Sequence, residues 1–140
     1  VITPHFNAIK ARIEGDTALT GKVFDTVRID DAGGLIRDNY VILYRSPADQ
    51  VASNRFNAVA DSQAELTFIV DVRAVGTSAV QCGAVLDKVM TQLVGYRLVV
   101  AGRSCTPIRL ESSGRVTADQ SVKPFLFYAD AGFEFVSRPA

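Results

Sequence analysis

The sequence predicts an α+β fold: a single antiparallel or mixed β-sheet, two helices packed on one of its faces, and one long loop between strands. Three observations carry this. Leu66, Phe68, Val70, Val72 and Ala74 alternate with Glu65, Thr67, Asp71 and Arg73, the period-two pattern of a strand buried on one face and interrupted only by Ile69. Cys82, Val85, Leu86, Val89, Met90 and Leu93 recur at helical spacing and mark one apolar helix face. The remaining apolar runs are short and follow one another through short connections, which suits a layered α+β design. At 140 residues the chain fits one domain, so residues 1–140 are read as a single unit.

Taken in order, Thr3-Pro4 opens a helix, because Thr caps and Pro loses nothing at the first helical position. Phe6, Ile9 and Ile13 continue it to Gly15, and Asp16 can cap a further turn that stops at Gly21. Val23–Val27 reads as a first strand and Asp30–Gly34 as a turn. Tyr40–Tyr44 is continuous, β-branched and aromatic, the composition of a strand buried on both faces. Ser46–Ala64 offers only Val51, Phe56 and Val59 as sizeable apolar side chains and shows no clear period. A compact domain rarely carries so long a connection unless the loop has a role. After the strand Glu65–Val75, Gly76-Thr-Ser78 breaks the chain and caps the second helix, which Gly95 closes. Arg97–Ala101 and Thr106–Leu110 read as short strands, Ser112–Gly114 as a turn, and the segment from Phe125 to Phe135 as a long strand with Gly132 as a bulge. Phe68, Val70, Val72, Leu86, Val89, Leu93, Phe125 and Phe127 are the expected core.

Composition narrows the function classes. Apolar residues make up 48% of the chain, enough to offset chain entropy by burial. Fifteen basic and fifteen acidic residues cancel, and neither half carries a run of one sign, so no bulk charge draws the chain to nucleic acid or to an anionic membrane. Eleven of the fifteen basic residues are arginine, the cation favoured at protein interfaces. No apolar run approaches the ~20 residues that span a bilayer. The opening Val-Ile-Thr-Pro-His-Phe lacks the pattern of a signal peptide, and without an initiator Met the numbering is expected to begin after processing or trimming. Cys82 and Cys105 are too few and too far apart for a metal knuckle or redox motif and are read as buried thiols in a reducing compartment.

Chemistry-bearing constellations are scarce. His5, the only histidine, lies in the first helical turn and is read as a surface residue. No Gly-x-Ser-x-Gly elbow accompanies it, and neither the dinucleotide nor the Walker glycine spacing occurs. Asp30-Asp31 is the one adjacent acidic pair. Asp71 and Arg73 stand on the exposed side of a strand, where each can pair across the sheet. The terminal phenylalanines alternate with Asp130 and Glu134, which would repel a phosphate backbone. No catalytic, cofactor-binding or metal-binding residues are expected, and the chain is read as a non-enzyme.

The layout resembles the tail terminator (tail completion) proteins of long-tailed bacteriophages. The resemblance rests on the Gly21-Lys-Val-Phe-Asp25 strand entry after a short helix, the apolar strand Tyr40–Tyr44, and the long polar loop containing Arg55. It rests further on Glu65–Val75 leading through Gly76-Thr-Ser78 into an amphipathic helix that ends Leu93-Val-Gly95, and on Pro124–Asp130. It implies a structural virion protein at the tail–neck junction, assembled in the host cytoplasm. Copies would form a ring, typically a hexamer, that caps the tail tube, ends its polymerisation and docks on the neck. The implied partners are the chain itself, the tail tube protein and a neck or connector protein. DNA passes through without sequence-specific contact, no membrane takes part, and no cofactor is needed. A head–tail connector subunit (neck adaptor or stopper) is the alternative, and a small ligand-binding or enzymatic α+β domain a third.

Two residue sets follow from that expectation. The loop 46–64 should lie against a neighbouring subunit or the adjoining ring, with Arg55 as polar anchor, Phe56 as apolar anchor, and Val51 and Val59 beside them. Because a basic channel would grip the duplex, with its charge every ~1.7 Å, the lumen should be acidic or mixed. Asp30, Asp31 and Asp49 are the lumen candidates.

Overall fold

The computed structural model describes residues 2–45, 49–50 and 65–140. In chain order the elements are helix α1 (Ile2–Glu14), strands β1 (Val23–Phe24), β2 (Tyr40–Tyr44), β3 (Asp49–Gln50) and β4 (Leu66–Gly76), and helix α2 (Ala79–Leu93). Strands β5 (Arg103–Cys105), β6 (Arg109–Ser113), β7 (Thr117–Asp119) and β8 (Leu126–Pro139) complete it. All eight described strands belong to one sheet of order β1-β2-β4-β8-β5, with β3 added to β4, and β6 and β7 added to β8. β1 and β2 pair parallel and every other pair is antiparallel, so the sheet is mixed and the fold is α+β as expected.

The centre is the β4–β8 pair, in register from Leu66↔Ser137 to Gly76↔Phe127. Alternation then fixes which side chains share a face. Phe68, Val70, Val72 and Ala74 of β4 and Ala129, Ala131, Phe133 and Phe135 of β8 point to the helices and are buried. Phe6, Ile9 and Ile13 of α1, and Cys82, Val85, Leu86, Val89 and Leu93 of α2, close over them. Phe68 stacks on Phe135, with centroids 4.9 Å apart and planes within 3°, while Phe6 meets Phe68 edge-on at 6.2 Å. On the opposite face Tyr40, Ile42 and Val75 form a second, smaller apolar cluster with Phe24. Tyr40–Tyr44 is therefore buried on both faces over its first four residues.

Local chemistry sets the element boundaries. The side chain of Ser78 accepts from Gln81 N and caps α2. Gly76 lies so close to the helix start that a Cβ would sit 2.4 Å from Cys82 N, which only glycine tolerates. Asp16 accepts from Ala18 N and organises the turn after α1.

Several expectations are corrected. α1 begins at Ile2, before Thr3-Pro4, and His5, four residues before Ile9, lies on its buried stripe with Phe6, Ile9 and Ile13. His5 is fully buried, not on the surface. The first strand stops at Phe24 instead of Val27, because residues 25–39 turn back through an Ile29↔Leu35 bridge to reach a parallel neighbour. Parallel partners need a connection of about this length, of the order of a dozen residues. Phe125 is 40% exposed and leaves the core: the β4–β8 ladder ends at Gly76↔Phe127, so no strand lies beneath it. Phe127 is partly buried at the edge of the main cluster. Arg97–Ala101 is not a strand but makes one bridge from Arg97 to Pro107, and the strands lie instead at β5, β6 and β7. Ser112 and Ser113 end β6 rather than form a turn. The bulge is on β6, where Leu110 faces Phe133 and Ser112 faces Gly132, leaving Glu111 as the extra residue.

Candidate interaction surface

The open face of the sheet carries the main constellation of surface chemistry. Arg73 and Asp130 are register partners on the central strands, and the guanidinium donates from Nε and Nη2 to the two carboxylate oxygens at 2.8 and 3.1 Å. That two-point contact raises the Arg73 pKa, and the guanidinium also lies 4.4 Å from the Tyr128 ring centroid. The pairing of Arg73 across the sheet is thus observed. Asp71 takes no cation: its register partner on β8 is Gly132, and among the described residues it has no ion pair or side-chain hydrogen bond.

Gly132 is the reason a groove exists there. A Cβ at this position would lie 2.8 Å from Ser112 Oγ, so a side chain would fill the space between β4 and β6. The result is an open groove of about 480 Å³, walled by Tyr44, the Arg73–Asp130 pair, Ser112 and Ser113, with Asp71 on its floor. On the helix side a second groove, of about 360 Å³, runs between Ala8 and Ala11 of α1, Gly15 just beyond it, and the extended segment Tyr96–Val99. Arg12 fixes its end by donating from Nε to Gln92 O at 2.8 Å, with its guanidinium 4.0 Å from the Tyr96 centroid.

A buried polar cluster ties three elements together behind the helices. His5 Nε2 and Ser137 Oγ are 2.8 Å apart, and Arg103 donates from Nε to Ser137 Oγ and from Nη2 to Ser137 O, each at 2.9 Å. Ser137 Oγ thus meets both the His5 ring and the Arg103 guanidinium. The His5 ring stacks 4.4 Å from Phe68. The distance suits a nucleophile and its base, yet both side chains are closed to solvent. The cluster is a structural tie. Its sequence signal was present: His5 lies four residues before Ile9, and Ser137 shares the inward parity of Phe133 and Phe135.

The other candidates separate. Asp30 uses its carboxylate within its own turn, accepting from Ala32 N and Gly34 N at 3.0 and 2.8 Å, while Asp31 stands exposed beside it. Asp49, in β3, pairs through its backbone with Thr67 of β4. Val51, Arg55, Phe56 and Val59 lie outside the described residues. Cys82 is buried, and its pKa is pushed up to about 11 by desolvation, as fits an inert core thiol. Among the described residues no three His, Cys, Asp or Glu side chains converge to hold a metal ion, and no helix is long and apolar enough to cross a membrane.

No family model and no curated protein matches the chain. Among solved structures it is similar to a chain in the virion of a native gene transfer agent (GTA) particle, with a TM-score of 0.62, 20% identity, and coverage of 94% of this chain and 92% of that one. The two chains share a fold over nearly their whole lengths.

Proposed function

We propose that this protein is a structural subunit of a phage-type virion and acts as a ring-forming tail terminator. The observation that supports this best is the fold shared, end to end, with a chain of a gene transfer agent virion. The resemblance of the sequence to tail terminators then gives the place: the junction of tail and neck. On this reading the chain performs no catalysis. Copies close into a ring, six-fold in the family it resembles, that caps the tail tube, ends its growth and docks on the neck protein while DNA passes through the centre. An arginine-rich but electrically neutral surface suits a subunit that must meet several protein neighbours.

The test is assembly without the subunit. Particles made in its absence should have filled heads and unattached tails of uncontrolled length. Tails of normal length beside heads that leak DNA would instead favour a connector at the neck and would overturn the terminator role.

A further inference from the structure

We infer that successive subunits of the ring join head to tail, with Arg97 and Val99 of one copy seated on the groove that holds Asp71 and Tyr44 of the next. The inference rests on the ring reading above and names the surfaces that make it. A ring needs a heterologous contact, in which two different patches of the same chain meet. The protein offers two such patches on different layers. One is the extended segment after α2, where alternation buries Leu98 and Val100 and turns Arg97 and Val99 outward. Val99 is 83% exposed, and Arg97 has no ion pair or side-chain hydrogen bond among the described residues. The other is the groove on the open sheet face, where Asp71 lies exposed without a cation beside Tyr44, itself 38% exposed.

The two patches complement each other twice over, a guanidinium for a carboxylate and an aliphatic side chain for an aromatic ring. Among the other described arginines, Arg12, Arg37 and Arg103 donate to carbonyl or hydroxyl oxygens of their own chain. Arg73, Arg109, Arg138, Arg28 and Arg45 already hold carboxylates. Arg115 follows Gly114 on the rim of the same groove, so it belongs to the receiving side. The absent side chain at Gly132 leaves the groove deep enough to admit a residue from outside.

The experiment is sedimentation velocity on the full chain, comparing wild type with Asp71→Arg, Arg97→Asp and the double variant, each first checked for a native circular dichroism spectrum. Both single variants should weaken self-association at least tenfold, and the double variant should recover to within about threefold of wild type, since the charges are exchanged rather than removed. Wild-type association should also weaken as salt rises. Asp71→Asn, which barely changes shape, should show the loss without added repulsion. If wild type assembles and the single variants assemble equally well, or the double variant is worse than either, this contact is wrong while the ring stands. A folded wild-type chain that stays monomeric at every concentration would overturn the ring reading and this contact with it.

Discussion

The two faces of β4 are built from alternate residues of one strand and obey different rules. Toward the helices, Phe68, Val70, Val72 and Ala74 are at most 1% exposed and are packed by both helices and by β8. Away from them, Asp71 and Arg73 stand in water, one paired and one not. The open face is itself divided. Near the end of β4 it is dry under Phe24 and Tyr40, and only its middle carries the groove. Packing is concentrated on one side of the strand and polar surface chemistry on the other, so neighbouring substitutions should differ in kind.

Phe68→Ala should show the largest effect, about 3–5 kcal/mol lost, because the ring contacts Phe6, His5 and Phe135 and leaves a cavity. Urea unfolding would measure it, and a loss under about 1 kcal/mol would remove the residue from the core. Ser137→Ala comes next. It removes the hydroxyl that His5 Nε2 and Arg103 Nε share, at a cost of about 1–3 kcal/mol. If Ser137→Ala melted at the wild-type temperature, the polar tie would contribute nothing.

Arg73→Ala sharpens the contrast from the wet side. Its pair with Asp130 is partly exposed, so the expected loss is only about 0.2–1 kcal/mol. A loss matching that of Phe68→Ala would erase the distinction between the faces. The smallest effect concerns pH. The hydrogen bond from Lys22 holds the Asp38 carboxyl below the usual carboxylate range, helped by the Asn39 amide and by Arg28 and opposed by burial. A depressed folded-state pKa contributes stability above the unfolded value of about 3.9, and that contribution is lost as pH falls through the folded value. Asp38→Asn should therefore cost up to about 1 kcal/mol at pH 7, a figure kept low by solvent screening, and nothing in strong acid. A difference that grows on acidification would reverse the sign assigned here.

Strong periodicity made β4 and α2 legible, because one buried face repeated over many residues leaves few other solutions, and an unbroken apolar run did the same for Tyr40–Tyr44. The α1 stripe was legible too, and the spacing of His5 from Ile9 placed it on that stripe, but its polarity argued for the surface. A single polar side chain follows the face its helix gives it once Ser137 and Arg103 supply partners, and those lie far away in sequence. Phe125 failed for a related reason: parity says which side a residue faces, not where the neighbouring strand ends. Of the candidate surface, Asp71 and Arg73 were visible as exposed strand residues, and the partner of Arg73 was not. The groove was hidden entirely, since it depends on Gly132 facing Ser112 across a ladder shifted by Glu111.

The length of β8 bears on the order in which the molecule forms. This 14-residue strand pairs with β4 on one side and with β5, β6 and β7 in succession on the other. It is also made after all of them. While the ribosome is still adding residues before Leu126, β4 has one edge unpaired and the helices have only part of a sheet to cover. Contacts so distant along the chain close slowly. The surface carrying Asp71, Gly132 and Ser112 consequently forms only once β8 has been added to β4 and β6.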